Sequence, residues 1–252
     1  MTPSTDVVSL SLAGPVRCVS HRGDPRRHRE NTLLGVASAI TEGADVVEVD
    51  VKVTADGEVV LLHDLSLQRL WGHPGRVTDL SYADVADLTG GPLGVPRLRD
   101  ALALLTGTPS ALMIDLDAAG WAEPSVACVR SCIAEGLVTP GQVIWCGRDD
   151  SLLVVRELDD DARIVLSWDE SNGGGKPPGD DIVDLLRPEA YNPHWPMVDA
   201  DTVRWAHERE LAVCCWTVDD EPTMRRLIDL GVTAMISNEI RTLRTVADEL
   251  SG

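Results

Sequence analysis

Short apolar runs and amphipathic stretches alternate along almost the whole chain. The runs fall at 16–20 (VRCVS), 45–51 (DVVEVDV), 58–64 (EVVLLHD), 111–117 (ALMIDLD), 142–146 (QVIWC), 163–168 (RIVLSW), 190–192 (AYN), 211–218 (LAVCCWTV) and 233–238 (TAMISN). Runs this short and this rich in Val, Ile and Leu read as strands buried on both faces. The stretches between them, at 31–42, 97–106, 122–136, 150–159, 199–209 and 220–230, read as helices, and Asn31-Thr32 and Asp219-Asp220 offer two of them N-cap chemistry. The closing RTLRTVADELSG reads as a final helix. Strand and helix in steady alternation predict a parallel sheet, and at 252 residues the expected form is an α/β barrel of the TIM (β/α)8 type, one domain over 1–252. Nine candidate strands compete for eight barrel positions, and AYN is the weakest of them.

One joint breaks the alternation. Between the second and third strands lies only KVTADGE, too short for a helix, with Asp56-Gly57 as a turn signal. A hairpin is expected there, so this connection lacks its helix. The Gly- and Pro-rich stretch ESNGGGKPPGDD (170–181) reads as a surface connection after a strand.

Charge narrows the list of partners. With 22 basic and 41 acidic residues the formal net charge is -19, which argues against a nucleic-acid surface or an anionic membrane face. No run approaches the roughly 18–20 apolar residues of a membrane-spanning helix. The N-terminal MTPSTDVVSLSLAGPVRCVS lacks the basic start of a leader peptide. A cytoplasmic protein without stable membrane insertion is expected. Six cysteines lie mostly in apolar segments without the paired spacing of a zinc site, and read as reduced core residues.

The candidate chemistry collects at strand ends. Glu48 and Asp50 stand two apart in VVEVDVKV, so they share a face of the strand, roughly 6.6 Å apart at about 3.3 Å of rise per residue. Two readings stay open: a solvated face, or a buried pair held by a divalent cation with oxygen ligands. Asp115 and Asp117 repeat the spacing in MIDLD. His21, Arg22, His63, Asp64, Trp216 and Thr217 also sit at the C-terminal ends of strands, where barrels build their active sites. Carboxylates for a hard cation, two histidines able to exchange protons and an arginine with planar donors together point to metal-assisted hydrolysis or phosphoryl transfer.

The motifs resemble those of the glycerophosphodiester phosphodiesterases. SHRGDPRRHRENTLLG, EGADVVEVDVKVTADGEVVLLHDLSLQRL, VPRLRDALALL and CCWTVDDEPTMRRLIDLGVTAMISN follow one another in family order over essentially the whole chain. The resemblance implies a TIM barrel and hydrolysis of glycerophosphodiesters to sn-glycerol 3-phosphate and an alcohol. It implies one divalent cation, Mg2+, Ca2+ or Mn2+, on Glu48, Asp50 and Asp115, with His21 and His63 as the acid/base pair. Arg22 and Glu30 are implied to line the phosphate site, and Asp117 and Trp216 are taken as further substrate-binding residues.

Three positions depart from the family pattern. Asp115 stands where a glutamate is expected, Asp117 where a lysine is expected, and Ser237-Asn238 where Thr-Asp is expected. No large insertion follows His63, so a headgroup pocket is expected from 65–95 and from the loops near 170–180 and 191–198, where His194 and Trp195 stand out. The alternatives are a related enzyme acting on another phosphodiester, such as a lysophospholipid or a specialised metabolite, and a non-catalytic barrel. The missing apolar insertion argues against a lipid tail. The retained His21, His63, Glu48 and Asp50 argue against lost catalysis.

Overall fold

The valine run around Glu48 forms the longest strand, β2 (Val46–Val53), and nearly all of it is buried. In the computed structural model, which describes residues 8–12, 14–172 and 174–250, eight parallel strands close into a barrel around it. They are β1 (Arg17–Ser20), β2, β4 (Ala111–Leu116), β5 (Val143–Gly147), β6 (Ile164–Trp168), β7 (Ala190–Pro193), β8 (Ala212–Cys215) and β9 (Ala234–Ser237). β1 pairs with both β9 and β2, which closes the ring. The ninth strand, β3 (Val59–Leu61), lies outside the ring and pairs antiparallel with the end of β2 through the expected hairpin.

The expectation for AYN needs correction. β7 is a full barrel strand, paired parallel with β6 and β8, and β3 is the peripheral one. A four-residue strand with little β-branching carries a weak local signal, yet its neighbours supply the hydrogen bonds and Tyr191 is fully buried.

The expected helices appear as Leu33–Thr41, Leu98–Ala103, Ala122–Ala134, Asp149–Leu158, Ala200–His207, Glu221–Asp229 and Ile240–Leu250. Thr32, Asp199 and Asp220 cap three of them through their side chains. Helices at Tyr82–Thr89 and Asp180–Leu186 were not anticipated, although Ser81 and Asp84 form a capping box that marks the first. The second begins inside the Gly/Pro-rich stretch, whose residue 173 lies outside the described residues, as do residues 1–7 of the N-terminal stretch.

Alternation along β2 sorts its side chains. Val47, Val49 and Val51 join the layer between strands and helices, whereas Val46 packs inside the barrel with Val19, Met113, Ile144 and Val165. Each such large side chain contributes about 1.5–3 kcal/mol on burial. Leu10 joins this inner cluster, anchored by Arg17 Nε donating to Ser9 O at 3.1 Å. Glu48, Asp50 and Lys52 therefore point inward, on the same face as Val46. All six cysteines are free thiols, five of them buried.

The turn after β1 is tied to the last helix through Asp24, which is fully buried and accepts from Ser38 Oγ at 2.7 Å and from Arg241. Burial pushes this carboxyl up, but the hydrogen bonds from Arg241 and Ser38 outweigh it and hold the group below its ordinary value. Its contribution is therefore present above the unfolded-state pKa and is lost as pH falls through the folded value. Asp24→Asn is expected to lose about 1.5–3 kcal/mol at neutral pH, or about 3–12 °C in Tm. The deficit relative to wild type should shrink below about pH 4. Calorimetry at several pH values checks this, and a deficit that stays constant into acid would contradict it.

Candidate active site

β1 ends in His21-Arg22-Gly23, a sharp turn whose backbone decides where two of the side chains go. Arg22 takes a left-handed φ of 54°, and its N–H donates to Glu48 Oε2 at 2.9 Å. Gly23 has φ 85°, and a Cβ there would come within 2.7 Å of the Gly35 carbonyl carbon. Only glycine lets the turn lie this close to helix Leu33–Thr41. The Arg22 guanidinium donates to Glu30 Oε1 at 3.0 Å, and its Nε lies 3.1 Å from Asp50 Oδ2. The His21 ring points Nδ1 at Asn238 Oδ1, 2.8 Å away, and leaves Nε2 4.0 Å from Glu48 Oε2. Burial, then the Arg22 charge, pulls His21 below its ordinary pKa, so the ring is neutral at neutral pH.

Three carboxylates share the floor of the pocket. Asp50 and Asp115 are register partners on neighbouring strands, about 4.8 Å apart. Burial, together with the charges of Asp50 and Asp115, pushes Glu48 well above the usual carboxylate range. Burial and the Asp50 charge push Asp115 up to about 6. The set is short of positive charge. Its chemistry, oxygen donors of like sign held in low dielectric, fits a hard divalent cation. Among the described residues, however, no three His, Cys, Asp or Glu side chains already stand close enough to grip one ion. Asp50 is turned towards Arg22 and accepts from Asn31 Nδ2 at 2.7 Å, while Asp115 accepts from Cys146 Sγ at 3.5 Å. Cation binding would require these carboxylates to turn towards one another.

His63, half-exposed just beyond β3, lines the same pocket. Its Nδ1 lies 2.7 Å from Asp64 Oδ1. Arg69 Nε donates to Asp64 Oδ2 at 2.6 Å, and the rest of that guanidinium forks onto Glu30 at 2.6 and 3.0 Å. The Arg69 hydrogen bond holds Asp64 down at about 2. Burial pushes Glu30 up, but the Arg69 and Arg22 guanidiniums hold it below the usual range. A continuous chain of ion pairs thus runs from Asp64, the partner of His63 Nδ1, through Arg69, Glu30 and Arg22 to Asp50.

Asp117 lines the pocket just past β4, with its side chain 49% exposed. Lys52 Nζ, itself buried, reaches it at 3.1 Å, and Trp121 Nε1 donates to it at 2.9 Å. The lysine expected on β4 is missing, but an ammonium arrives at the same carboxylate from β2. On the far side Trp216 donates from Nε1 to Asn192 O at 3.0 Å and packs at 5.1 Å, tilted by 39°, against His194, whose Nδ1 pairs with Glu170. The whole pocket holds about 370 Å³, in the range of small-molecule sites.

Comparison with known proteins decides the family. The model of the glycerophosphoryl diester phosphodiesterase family matches residues 21–242. The chain belongs to this family. It is an enzyme, a phosphodiester hydrolase by family. Among its relatives, a glycerophosphodiester phosphodiesterase of Arabidopsis thaliana is 26% identical over 249 residues, covering 94% of this chain and 74% of that protein. Another, from Caldanaerobacter subterraneus subsp. tengcongensis, is 26% identical over 244 residues, 89% of this chain and 95% of that one. A phosphodiesterase of Oleispira antarctica, solved with the product sn-glycerol-3-phosphate, superposes with a TM-score of 0.82 over 93% of this chain and 97% of its own, at 19% identity. The last likeness is one of fold.

His21, Arg22, Glu48, Asp50, His63, Asp115, Asp117 and Trp216 all line the pocket, and Glu30 stands one hydrogen bond behind Arg22 without reaching the wall. The loops near 170–180 and 191–198 supply Ser171, Asn172 and Asn192 to the wall as expected, whereas the rest of the expected side differs. Segment 65–95 contributes nothing to the wall, and Trp195 packs against the core with Arg226 over its ring at 5.9 Å. The wall there comes from Arg148, Trp168, Asp169, Ser171, Asn172 and Asn192. Lys52, Asn31 and Arg69 were also overlooked. Lys52 had a legible signal, being next after Glu48 and Asp50 on the same face of VVEVDVKV, and Asn31 lies in the family's Glu-Asn-Thr motif. Arg69 carried none.

Proposed function

We propose that the enzyme hydrolyses glycerophosphodiesters to sn-glycerol 3-phosphate and an alcohol, and that it needs one divalent cation, Mg2+, Ca2+ or Mn2+, held by Glu48, Asp50 and Asp115. The observation that carries the reading is that two histidines, from the ends of β1 and β3, line one pocket with three carboxylates from β2 and β4. Once bound, the cation would polarise a phosphoryl oxygen and offset the charge of the carboxylates. Arg22, pinned by Glu30, presents donors to the phosphate. One of His21 and His63 takes the proton from a glycerol hydroxyl attacking phosphorus, and the other gives a proton to the departing alcohol. The cyclic glycerophosphate left behind is opened by water with the two roles reversed. The product bound by the Oleispira antarctica phosphodiesterase supports this choice of products. We place the enzyme in the cytoplasm on the ground that its cysteines are free thiols.

The test is release of alcohol from glycerophosphocholine, glycerophosphoethanolamine, glycerophosphoglycerol and lysophosphatidylcholine, with EDTA and after restoring each cation. Turnover of the three glycerophosphodiesters, lost in EDTA and regained with a cation, is the expected result. Turnover of the lysophospholipid alone would replace the proposed substrate class, and full activity in EDTA would remove the cation.

A further inference from the structure

His21, partly buried, meets a partner that determines which of its nitrogens carries the proton. Asp219 Oδ1 accepts the Asn238 backbone N–H at 2.8 Å and the Ser237 hydroxyl at 3.2 Å. Ser237 Oγ itself accepts from the Glu239 N–H at 2.9 Å, so its own hydrogen is free to point at Asp219. Asp219 Oδ2 lies 2.8 Å from the Asn238 side-chain amide and 3.6 Å from the Arg26 guanidinium. An ionised carboxylate only accepts, so the amide atom facing it must be Nδ2. Asn238 Oδ1 then faces His21 Nδ1 at 2.8 Å, and an amide oxygen also only accepts. The hydrogen must sit on Nδ1. Rotating the amide by half a turn would set oxygen against oxygen at Asp219 and donor against donor at His21. On the pocket side, Nε2 is 4.0 Å from Glu48 Oε2, beyond hydrogen-bond range.

We propose that Asp219 and Asn238 are positioning residues that hold a hydrogen on Nδ1 of His21, so that Nε2 is the nitrogen turned to the pocket for proton exchange. Neither residue lines the pocket, and both act through the ring. His63 has no such intermediary, since its Nδ1 meets the carboxylate of Asp64 directly. The site therefore treats its two histidines differently. A glycerol hydroxyl entering between them meets a ready acceptor on the His21 side without any rearrangement of the ring. The kinetic part of the idea rests on the proposed hydrolysis; the tautomer does not.

The experiment is long-range 1H–15N correlation of the full chain labelled with 15N-histidine, the His21 signals being assigned by their loss in His21→Gln. In the wild type, Nδ1 is expected to show the shift of a protonated ring nitrogen and Nε2 that of an unprotonated one. Asp219→Asn allows the Asn238 amide to turn over, and Asn238→Ala removes the acceptor. Both should move His21 towards the Nε2-protonated form and lower kcat about 10- to 100-fold with KM within about twofold. The exchange variant Asp219→Asn/Asn238→Asp again places an acceptor on Nδ1 and a donor between the two side chains, and is expected to restore both the tautomer and most of kcat. A wild-type His21 protonated on Nε2, or single variants that lose kcat while keeping the Nδ1 tautomer, would overturn the proposal. The spectra decide the matter even if glycerophosphodiesters prove not to be the substrate.

Discussion

Glu48→Ala is expected to reduce turnover to background and to remove cation binding, while the metal-free protein melts at the same temperature as wild type or higher. Glu48 is buried beside two other carboxylates, and its pKa is raised by that burial and by their charge. Deleting one of several like charges relieves repulsion, which offsets the loss of the acceptor for the Arg22 N–H. Asp50→Ala should lose activity to the same extent but should also lower the melting temperature of the metal-free protein. Asp50 is the partner of Asn31 Nδ2 and lies against the Arg22 guanidinium, and both would be left without it in a buried place. Calorimetry with and without Mg2+ or Ca2+, alongside isothermal titration of the cation, separates the two effects. Undiminished cation binding by Glu48→Ala would mean that the ion, if used, sits elsewhere.

For the histidines, His21→Ala and His63→Ala are each expected to lower kcat by about 10²–10⁴. The double variant should fall far short of the product of the two losses. Proton removal at one side of the phosphorus and proton delivery at the other belong to the same displacement, so once one is absent the other has little left to assist. The geometry supports treating them as a pair. Both line one pocket, and an ion-pair chain from Asp64, the partner of His63, runs through Arg69 and Glu30 to Arg22, the neighbour of His21. Single-turnover kinetics on one glycerophosphodiester, measured for all four proteins, yields the coupling directly. Losses that multiply would assign the two residues to independent tasks, such as phosphate orientation for one of them.

Much of this was legible without coordinates, because the signals are local. A parallel strand buried on both faces must be a run of apolar residues, and a helix covering it must be amphipathic, so the barrel announces itself in periodicity. The hairpin at Asp56-Gly57 is legible for the same reason. Two carboxylates at i and i+2 must share a face once the strand is recognised, and the motif order around His21, Glu48 and His63 carried the family. β7 was misjudged because four residues hold too little pattern to outweigh eight neighbours, whereas in the barrel both of its edges are paired.

What the chain by itself determined is therefore the barrel, the shared face of Glu48 and Asp50, and the identity of the chemistry-bearing side chains. What only the tertiary structure decided is how those side chains are charged and oriented. Lys52, on β2, and Asp117, just past β4, lie 65 positions apart, and nothing local shows that the ammonium of one offsets the carboxylate of the other until β2 and β4 pair. His21 and Asn238 are separated by 217 positions and meet only because β1 closes the ring against β9. Electrostatics and hydrogen bonding act over a few ångströms of space and are indifferent to distance along the chain, so the protonation and aim of a catalytic group belong to the closed barrel.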